Sequence, residues 1–302
     1  MRIPSVRSLL ALMPALLLGA CQTQIPAHEF VPNAARDKVS STETVLPIKQ
    51  SEIYVFVPQS NIAAAGGGGL LLALVDAGVD SVRTSKAEAA VKPLRDALID
   101  YSFDQSLQNS LKVSLAQDTW LHAGDGHVVR EVTAANLDSV LAGSKSDAVL
   151  FTTTDYQLSN DAGQLSVTMI ASLFPNSDAL RAIRPAKDAK TKTALNNTLY
   201  HNRLVFQANA PVPGVERDQA IAAWSANHGQ AMRAALDEAA SKLASMLAAD
   251  LNRPEGDVDT GTGAEVKTNN VTGHVIAKDA DGGVVRYGDG TLAYMPNSML
   301  DH

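Results

Sequence analysis

The stretch that decides the fold is AVLFTTTDYQLSNDAGQLSVTMIASLF, which runs from Ala148 to Phe174. Two segments rich in β-branched and aromatic residues flank the sequence SNDAG, at Ser159 to Gly163. Val, Thr, Tyr and Phe favour strands, whereas Ser, Asn, Asp and Gly favour tight turns. The stretch therefore predicts a long antiparallel hairpin, and LYHNRLVFQ at 199–207 predicts a further strand beside it.

Helical patterns surround the hairpin. Leu107, Leu111 and Leu115 lie four apart and predict a helix over 104–117. The longest helix is predicted over 216–251, with one face on the sheet and an apolar stripe at Ile221, Trp224, Met232, Leu236, Leu243, Leu247 and Leu251. Shorter patterns predict a strand at 52–58, a helix over 70–100 that Pro93 breaks or kinks, a strand at 127–132 and a helix at 133–141.

This order of strands and helices is typical of an α/β (α+β) domain with a mixed sheet packed by helices. We place that domain at residues 50–252. A turn-rich, acidic joint follows, and residues 264–302 then predict a small antiparallel β meander with turns at 279–283 and 288–290. The meander is too short to bury a core of its own, so we expect it to dock on the main domain or on a partner.

The amino terminus has the pattern of a bacterial lipoprotein signal. Arg2 and Arg7 precede an apolar run, and the small residues Gly19 and Ala20 stand before Cys21, the only cysteine of the chain. The run resembles the lipobox, in which cleavage leaves the cysteine first and lipidated. We therefore expect a signal peptide at 1–20, a membrane anchor at Cys21 and a flexible tether at 21–49. Gln22, where an aspartate would retain the protein in the inner membrane, favours the outer membrane, facing the periplasm.

Composition excludes several function classes. The formal net charge is −7, which disfavours binding to nucleic acid. No apolar stretch after the signal reaches the ~20 residues of a membrane-spanning helix. With Cys21 as the only cysteine, no disulfide and no cysteine nucleophile are expected, and no G-x-S-x-G sequence marks a serine hydrolase.

The domain also resembles a family. The hairpin at 148–174, the strand at 199–207 and the helix end SMLAADL at 245–251 are similar in pattern and order to the periplasmic domain shared by three groups of proteins: curli-export lipoproteins, activator lipoproteins of penicillin-binding proteins, and the amino-terminal domain of the Tol-system propeller protein. The stretch at 68–98 is similar to one in uncharacterised lipoproteins of Gram-negative bacteria. The resemblance implies a scaffold or recruiting role at the outer membrane and assigns no catalytic residue.

Three motifs could indicate a bound ligand, and each has a simpler interpretation. His122, Asp125 and His127 could be zinc ligands, but Asp125-Gly126 is a turn signal and no fourth ligand is near. Gly66–Gly69 could cradle a phosphate, but the Lys-Ser/Thr of a P-loop is missing. Asp279-Ala280-Asp281 resembles the start of a calcium loop, although a hairpin turn explains it. We therefore predict no metal and no cofactor.

Two hypotheses of different classes remain. The first is a non-catalytic, lipid-anchored periplasmic protein that binds a protein partner, or itself, in envelope assembly or secretion. In that case Arg286, Tyr287 and Tyr294 of the meander could form a small partner-binding face. The alternative is a binding module for a small molecule or a cell-wall polymer, which requires a concave site.

Overall fold

The computed structural model describes residues 28–48, 50, 52–55, 85–130, 132, 134–184, 197–257, 263–268 and 271–300. The signal peptide, Cys21, most of the predicted helix at 70–100 with Gly66–Gly69, and much of the connection before the strand at 199–207 lie outside these residues. Within them the chain forms a mixed sheet of ten strands with seven helices, so the predicted α/β class is confirmed.

The strands are β1 (Thr42–Ile48), β2 (Tyr54–Val55), β3 (His127–Arg130), β4 (Ala148–Leu158), β5 (Gln164–Pro175), β6 (Tyr200–Asn209), β7 (Glu265–Thr268), β8 (Val271–Lys278), β9 (Gly282–Tyr287) and β10 (Leu292–Pro296). The helices are α1 (Asn33–Arg36), α2 (Ser85–Ala97), α3 (Phe103–Leu115), α4 (Ala134–Gly143), α5 (Asp178–Arg181), α6 (Arg217–Leu251) and α7 (Asn297–Leu300).

The predicted hairpin forms the centre of the sheet. β4 and β5 pair antiparallel without a break from Ala148↔Pro175 to Leu158↔Leu165. In the turn, the carboxylate of Asp161 accepts a hydrogen bond from the backbone N–H of Gly163 at 3.0 Å, and Ser159 N–H donates to the carbonyl of Gln164 at 2.8 Å. β6 pairs antiparallel with β5, as LYHNRLVFQ predicts.

The full strand order is β3-β1-β4-β5-β6-β10-β9-β8-β7, with β2 parallel to the far end of β4. β1 is therefore inside the sheet, parallel to both β3 and β4. This contradicts the flexible tether predicted over 21–49. β1 has no alternating pattern because Thr42, Thr44, Val45 and Leu46 are all buried. Pro47, a residue type that is unfavourable in central strands, is tolerated since the pairing with β4 ends at Val45.

The carboxy-terminal meander extends the same sheet. β10 pairs in parallel with β6 through Leu292↔Leu204 and Tyr294↔Phe206, while β7 to β10 pair antiparallel with one another. The meander exists as predicted, but it does not form a separate unit from residue 264. Its last strand is buried on both faces, at Leu292, Ala293, Tyr294 and Met295, because β6, β9 and helices surround it.

Helices cover both faces of the sheet. One face packs on α2, α3 and α6 in the main core, with Leu94, Leu111, Leu150, Leu204 and Leu243 among its members. On the opposite face, α4 covers β1, β4 and β5 through Leu137 and Leu141, and α7 covers β6 and β10 through Leu300. All seven predicted stripe residues of α6 are buried.

Helix α6 is interrupted at Ala226–Gly229, where Asn227, His228 and Gly229 have left-handed backbone angles (φ 50°, 58° and 72°). A Cβ at Gly229 would also lie 3.3 Å from Leu98. Trp224 and His228 lie four apart, a spacing that predicts a buried packing pair on one helix face. The break makes this prediction wrong: Trp224 is buried and donates from Nε1 to the carbonyl of Ala162 at 2.9 Å, whereas His228 is exposed. Pro93, expected to break or kink its helix, lies inside α2.

Candidate functional site

The three predicted partner-binding residues do not form one exposed face. Tyr294 is only 3% exposed, and its ring stacks on that of Phe206 at 5.7 Å with an angle of 2°. Its hydroxyl donates to Asp279 Oδ1 at 3.1 Å, and the ammonium of Lys242 lies 4.3 Å from the centre of its ring. The hot-spot role expected of Tyr294 is contradicted, because a buried ring joins β10 to the core and has no free face for a partner.

Arg286 and Tyr287 point to opposite sides of the sheet. Arg286 lies on the face of the sheet that α6 covers. Its side chain is 10% exposed, and its guanidinium is 3.5 Å from the carboxylate of Asp250. Tyr287 is half-buried and packs against the cluster under α7. Of the three predicted residues, only Tyr287 therefore has a side chain that a partner could partly contact.

Two of the three zinc candidates pair with other side chains. His127 Nδ1 lies 3.4 Å from Glu43, and Asp125 pairs with Lys112 at 2.7 Å. Among the described residues, no group of three or more His, Cys, Asp or Glu side chains could hold a metal ion. Asp279 and Asp281 lie in the turn between β8 and β9, where Asp279 Oδ1 accepts the backbone N–H of Gly282 at 2.8 Å. The hydrogen bond from Lys242 is the main cause that lowers the pKa of Asp279.

The strongest concentration of buried polar groups surrounds Asp250, in the last turn of α6. Its side chain is fully buried. It accepts from the hydroxyl of Tyr200 at 2.9 Å and from Asn202 Nδ2 at 2.7 Å. Arg286 lies at 3.5 Å and Arg253 at 3.8 Å from the same carboxylate. Burial, and then the charge of Asp250, raise the pKa of Tyr200 well above its ordinary value.

A strap, residues 28–31, covers this cluster. His28 Nε2 lies 3.3 Å from Asp250 Oδ2 without hydrogen-bond geometry, and the turn at Gly290 is so close that a Cβ there would lie 2.3 Å from His28 Cβ. The ring centres of Phe30 and His28 lie 4.2 Å apart with the rings at 77°, and the guanidinium of Arg253 lies 5.3 Å from the ring centre of Phe30. The strap thus occupies the space between the end of α6 and the loop before β10.

Glu29 attaches the strap to the start of strand β6. It exchanges backbone hydrogen bonds with His201 on β6, at 2.7 and 3.2 Å, beyond the point where β10 pairs with that strand. Its carboxylate accepts from the hydroxyl of Thr198 at 2.6 Å and pairs with Arg184 at 3.0 Å. Arg184 also donates to the carbonyl of Phe30 at 2.8 Å. Residues 28–30 are therefore held to the fold by backbone and side-chain contacts.

Sequence reasoning missed this cluster, although one signal pointed to it. Asp250 follows Leu243 and Leu247 along an apolar stripe and is the one acidic residue of SMLAADL. A carboxylate at such a position needs donors, because burying an unpaired charge is costly. The donors come from segments far apart in sequence, so the partners could not be named without the fold.

Comparison with known proteins adds no assignment. No protein-family model matches the chain, and no curated protein matches it at a significant level. Within the part of the chain that the structure describes, no helix has the length and apolar character needed to cross a bilayer.

Proposed function

We propose that this chain is a non-catalytic periplasmic protein that is held at the outer membrane by a lipid on Cys21 and recruits protein partners there. The observation that supports this most directly is the strap. The described residues contact the fold from His28 on, with only six residues between His28 and the lipobox pattern that ends at Cys21. Acylation and a docked strap together would hold the domain close to the bilayer.

The length of the remaining linker limits how far the domain can move away. Residues 22–27 alone separate Cys21 from the strap, and a fully extended chain of that length spans at most about 25 Å. The strap lies against the end of α6, the start of β6 and the turn at Gly290. This end of the molecule therefore faces the bilayer, and the distant strands of the sheet face the periplasm.

Strand β3 is the best candidate for contact with a partner. Among the described strands it pairs only with β1, and His127, Val128 and Arg130 are exposed. An edge strand offers unpaired N–H and C=O groups to which an extended segment of another protein can add. β3 is separated from the strap-bearing strand β6 by β1, β4 and β5, so it is available while the strap is docked.

The anchor is tested with Cys21→Ser. Because Cys21 is the only cysteine, radiolabelled palmitate should enter the wild-type chain alone, and the variant should keep its signal peptide and stay in the inner membrane. Incorporation of label into the variant, or its fractionation with the outer membrane, would overturn the proposed anchor.

The partner surface is tested by charging the edge. Val128→Lys places an ammonium on β3, where Val128 is 37% exposed, and Val113→Lys makes the same change on α3, where Val113 is 67% exposed. In crosslinked envelopes we expect Val128→Lys to lose adducts that the wild type and Val113→Lys retain. Identical adducts in all three chains would exclude β3 as the recruiting edge.

A further inference from the structure

The strap at residues 28–31 lies on the fold as an extended segment of another protein would. Glu29 exchanges backbone hydrogen bonds with His201 in antiparallel orientation, at 2.7 and 3.2 Å, beyond the point where β10 pairs with β6. This is the geometry of strand addition at a sheet edge. Six residues form the surface beneath the strap, which we call the strap groove: Arg184, Thr198, Tyr200, His201, Asp250 and Arg253.

The strap groove recognises a carboxylate. The carboxylate of Glu29 accepts from the hydroxyl of Thr198 at 2.6 Å and pairs with the guanidinium of Arg184 at 3.0 Å. The same guanidinium donates to the carbonyl of Phe30 at 2.8 Å. Hydrogen bonds between charged groups are shorter and stronger than neutral ones. Arg184 therefore fixes both an acidic side chain and the backbone of the residue that follows it.

Two further contacts recognise the residues after Glu29. The guanidinium of Arg253 lies 5.3 Å from the ring centre of Phe30, which is a cation–π contact. Val31 is 1% exposed and packs in the main core. The strap groove thus fits an acidic, an aromatic and an aliphatic residue in succession.

The attachment of the strap is short and incomplete. Among the described residues, one bridge, Glu29↔His201, joins its backbone to the sheet. Segments held by few backbone hydrogen bonds open at low cost in free energy. At the first residue of the strap, His28 Nε2 lies 3.3 Å from Asp250 Oδ2 but makes no hydrogen bond. A segment of similar sequence that fits better can therefore compete with the strap.

A second copy of this chain does not suit the strap groove. Pro32 alone separates the strap from α1, which begins at Asn33. Arg36 of α1 donates to the carbonyls of Leu251 and Asn252, at 3.0 and 3.2 Å, and so holds α1 at the end of α6. The strap of one copy would reach the groove of another only if α1 also detached. We therefore assign the groove to a segment of a different protein.

We propose that the strap is a displaceable internal ligand. An extended segment of a protein partner, in which a glutamate precedes an aromatic and an aliphatic residue, replaces residues 28–31 and adds to β6 in their place. This binding does not depend on the lipid anchor. Where the chain is anchored at Cys21, as proposed above, displacement lengthens the linker to the bilayer from residues 22–27 to residues 22–31, or from about 25 Å to about 40 Å.

The test uses the mature chain from residue 21 with Cys21→Ser and a fluorescein-labelled peptide with the sequence of residues 25–32, IPAHEFVP. Binding is followed by fluorescence anisotropy. In the unchanged strap, residues 28–31 compete with the peptide, because they are present at a high effective concentration. Glu29→Arg places a positive charge beside Arg184 and opens the groove, so the peptide should bind this variant at least tenfold more tightly. A peptide that itself carries Glu29→Arg should not bind.

Asp178→Arg is the matched control. It makes the same change of charge on α5, where the side chain of Asp178 is fully exposed and pairs with Arg181. This variant should bind the peptide as the unchanged chain does. If Glu29→Arg is folded by circular dichroism and binds the peptide no more tightly than Asp178→Arg, the proposal is wrong.

Amide NMR on the isotope-labelled chain with an unchanged strap gives a second measurement, which does not depend on the folding of a variant. Saturating peptide should move the signals of Glu29 and Phe30 to the positions of an unstructured segment, while the amide of His201 stays protected from hydrogen exchange. Unchanged signals of Glu29 and Phe30 would exclude displacement. A dimer in sedimentation that Glu29→Arg abolishes would overturn the assignment to a different protein, since the strap of a second copy would then occupy the groove.

Discussion

The hydroxyl of Tyr200 lies 2.9 Å from the carboxylate of Asp250, and both side chains are buried. Tyr200 begins β6, whereas Asp250 lies in the last turn of α6. Because Arg286 of β9 and His28 of the strap approach the same carboxylate, this one acidic group joins the long helix, the central sheet, the meander and the amino-terminal segment. The cluster therefore links four segments that are distant in sequence through contacts with a single buried carboxylate.

Removal of this charge should destabilise the whole domain. In Asp250→Asn, the guanidinium groups of Arg286 and Arg253 lose their buried counter-charge, and Tyr200 loses an acceptor of full charge. Loss of one partner of a buried ion pair costs about 3 kcal/mol or more. We expect the free energy of unfolding, measured with urea by circular dichroism, to fall by about that amount.

Asp178→Asn is the control for Asp250→Asn. The carboxylate of Asp178 is fully exposed and pairs with Arg181, so its removal should leave the urea midpoint of unfolding at the wild-type value within error. If both variants unfold at the wild-type urea concentration, the network around Asp250 contributes no stability and its assigned role is wrong.

The sequence predicts those parts of the fold in which local chemistry and long-range packing agree. The hairpin at 148–174 has strand residues, turn residues and alternating burial at its turn end, and α3 has leucines four apart behind the N-cap Ser102. β1 was missed because it is buried on both faces. Thr42 donates its hydroxyl hydrogen bond to the carbonyl of Leu121, which is distant in sequence, and Pro47, a residue type that is unfavourable in central strands, lies beyond the pairing with β4.

The candidate site was less predictable than the fold. Tyr294 and Arg286 were expected to share a small partner-binding face of the meander with Tyr287. The parallel pairing of β10 with β6 placed both residues beneath α6, beside Lys242 and Asp250. A parallel pairing between residues so far apart in the chain cannot be recognised from the sequence pattern of either segment, since it depends on the connection between them.

His201 should make the domain sensitive to acid. Burial, and then the proximity of His28, lower the pKa of His201 from 6.5 to about 4. Between these values the unfolded chain binds a proton that the folded chain excludes, so the free energy of unfolding falls as the pH falls through this window. The full effect corresponds to roughly 3 kcal/mol. In His201→Asn, urea unfolding measured from pH 7 to pH 4 should show that much less loss.

His228→Gln is the matched variant for this measurement. His228 is exposed at the break in α6, so solvent screens its charge in the folded chain. The variant should follow the wild-type pH dependence throughout the range. Equal acid sensitivity in wild type and His201→Asn would show that His201 is protonated as easily in the folded chain as in the unfolded one.

Substitution of the two meander tyrosines should separate a structural ring from an accessible one. Tyr294→Ala removes a stacked, buried ring and should cost about 3 kcal/mol, whereas Tyr294→Phe loses only the bond to Asp279, about 1 kcal/mol. Tyr287→Ala, on the half-buried ring, should cost less than Tyr294→Ala. Thermal unfolding measures all three, and a Tyr287→Ala loss as large as that of Tyr294→Ala would contradict the assignment.

The final prediction concerns a chain that stops after Pro254. Truncation there removes β10, so β6 loses a hydrogen-bonded neighbour, Phe206 loses the stacked ring of Tyr294 and Asp250 loses Arg286. We expect this chain to lose its cooperative thermal transition and to aggregate during gel filtration. The control is a full chain with a protease site inserted between Asp257 and Gly263. After cleavage its two fragments should elute together, because the pairing of β6 with β10 does not depend on that joint. A truncated chain that melts as the wild type does, or cut fragments that separate under native conditions, would mean that the meander is an appendage after all.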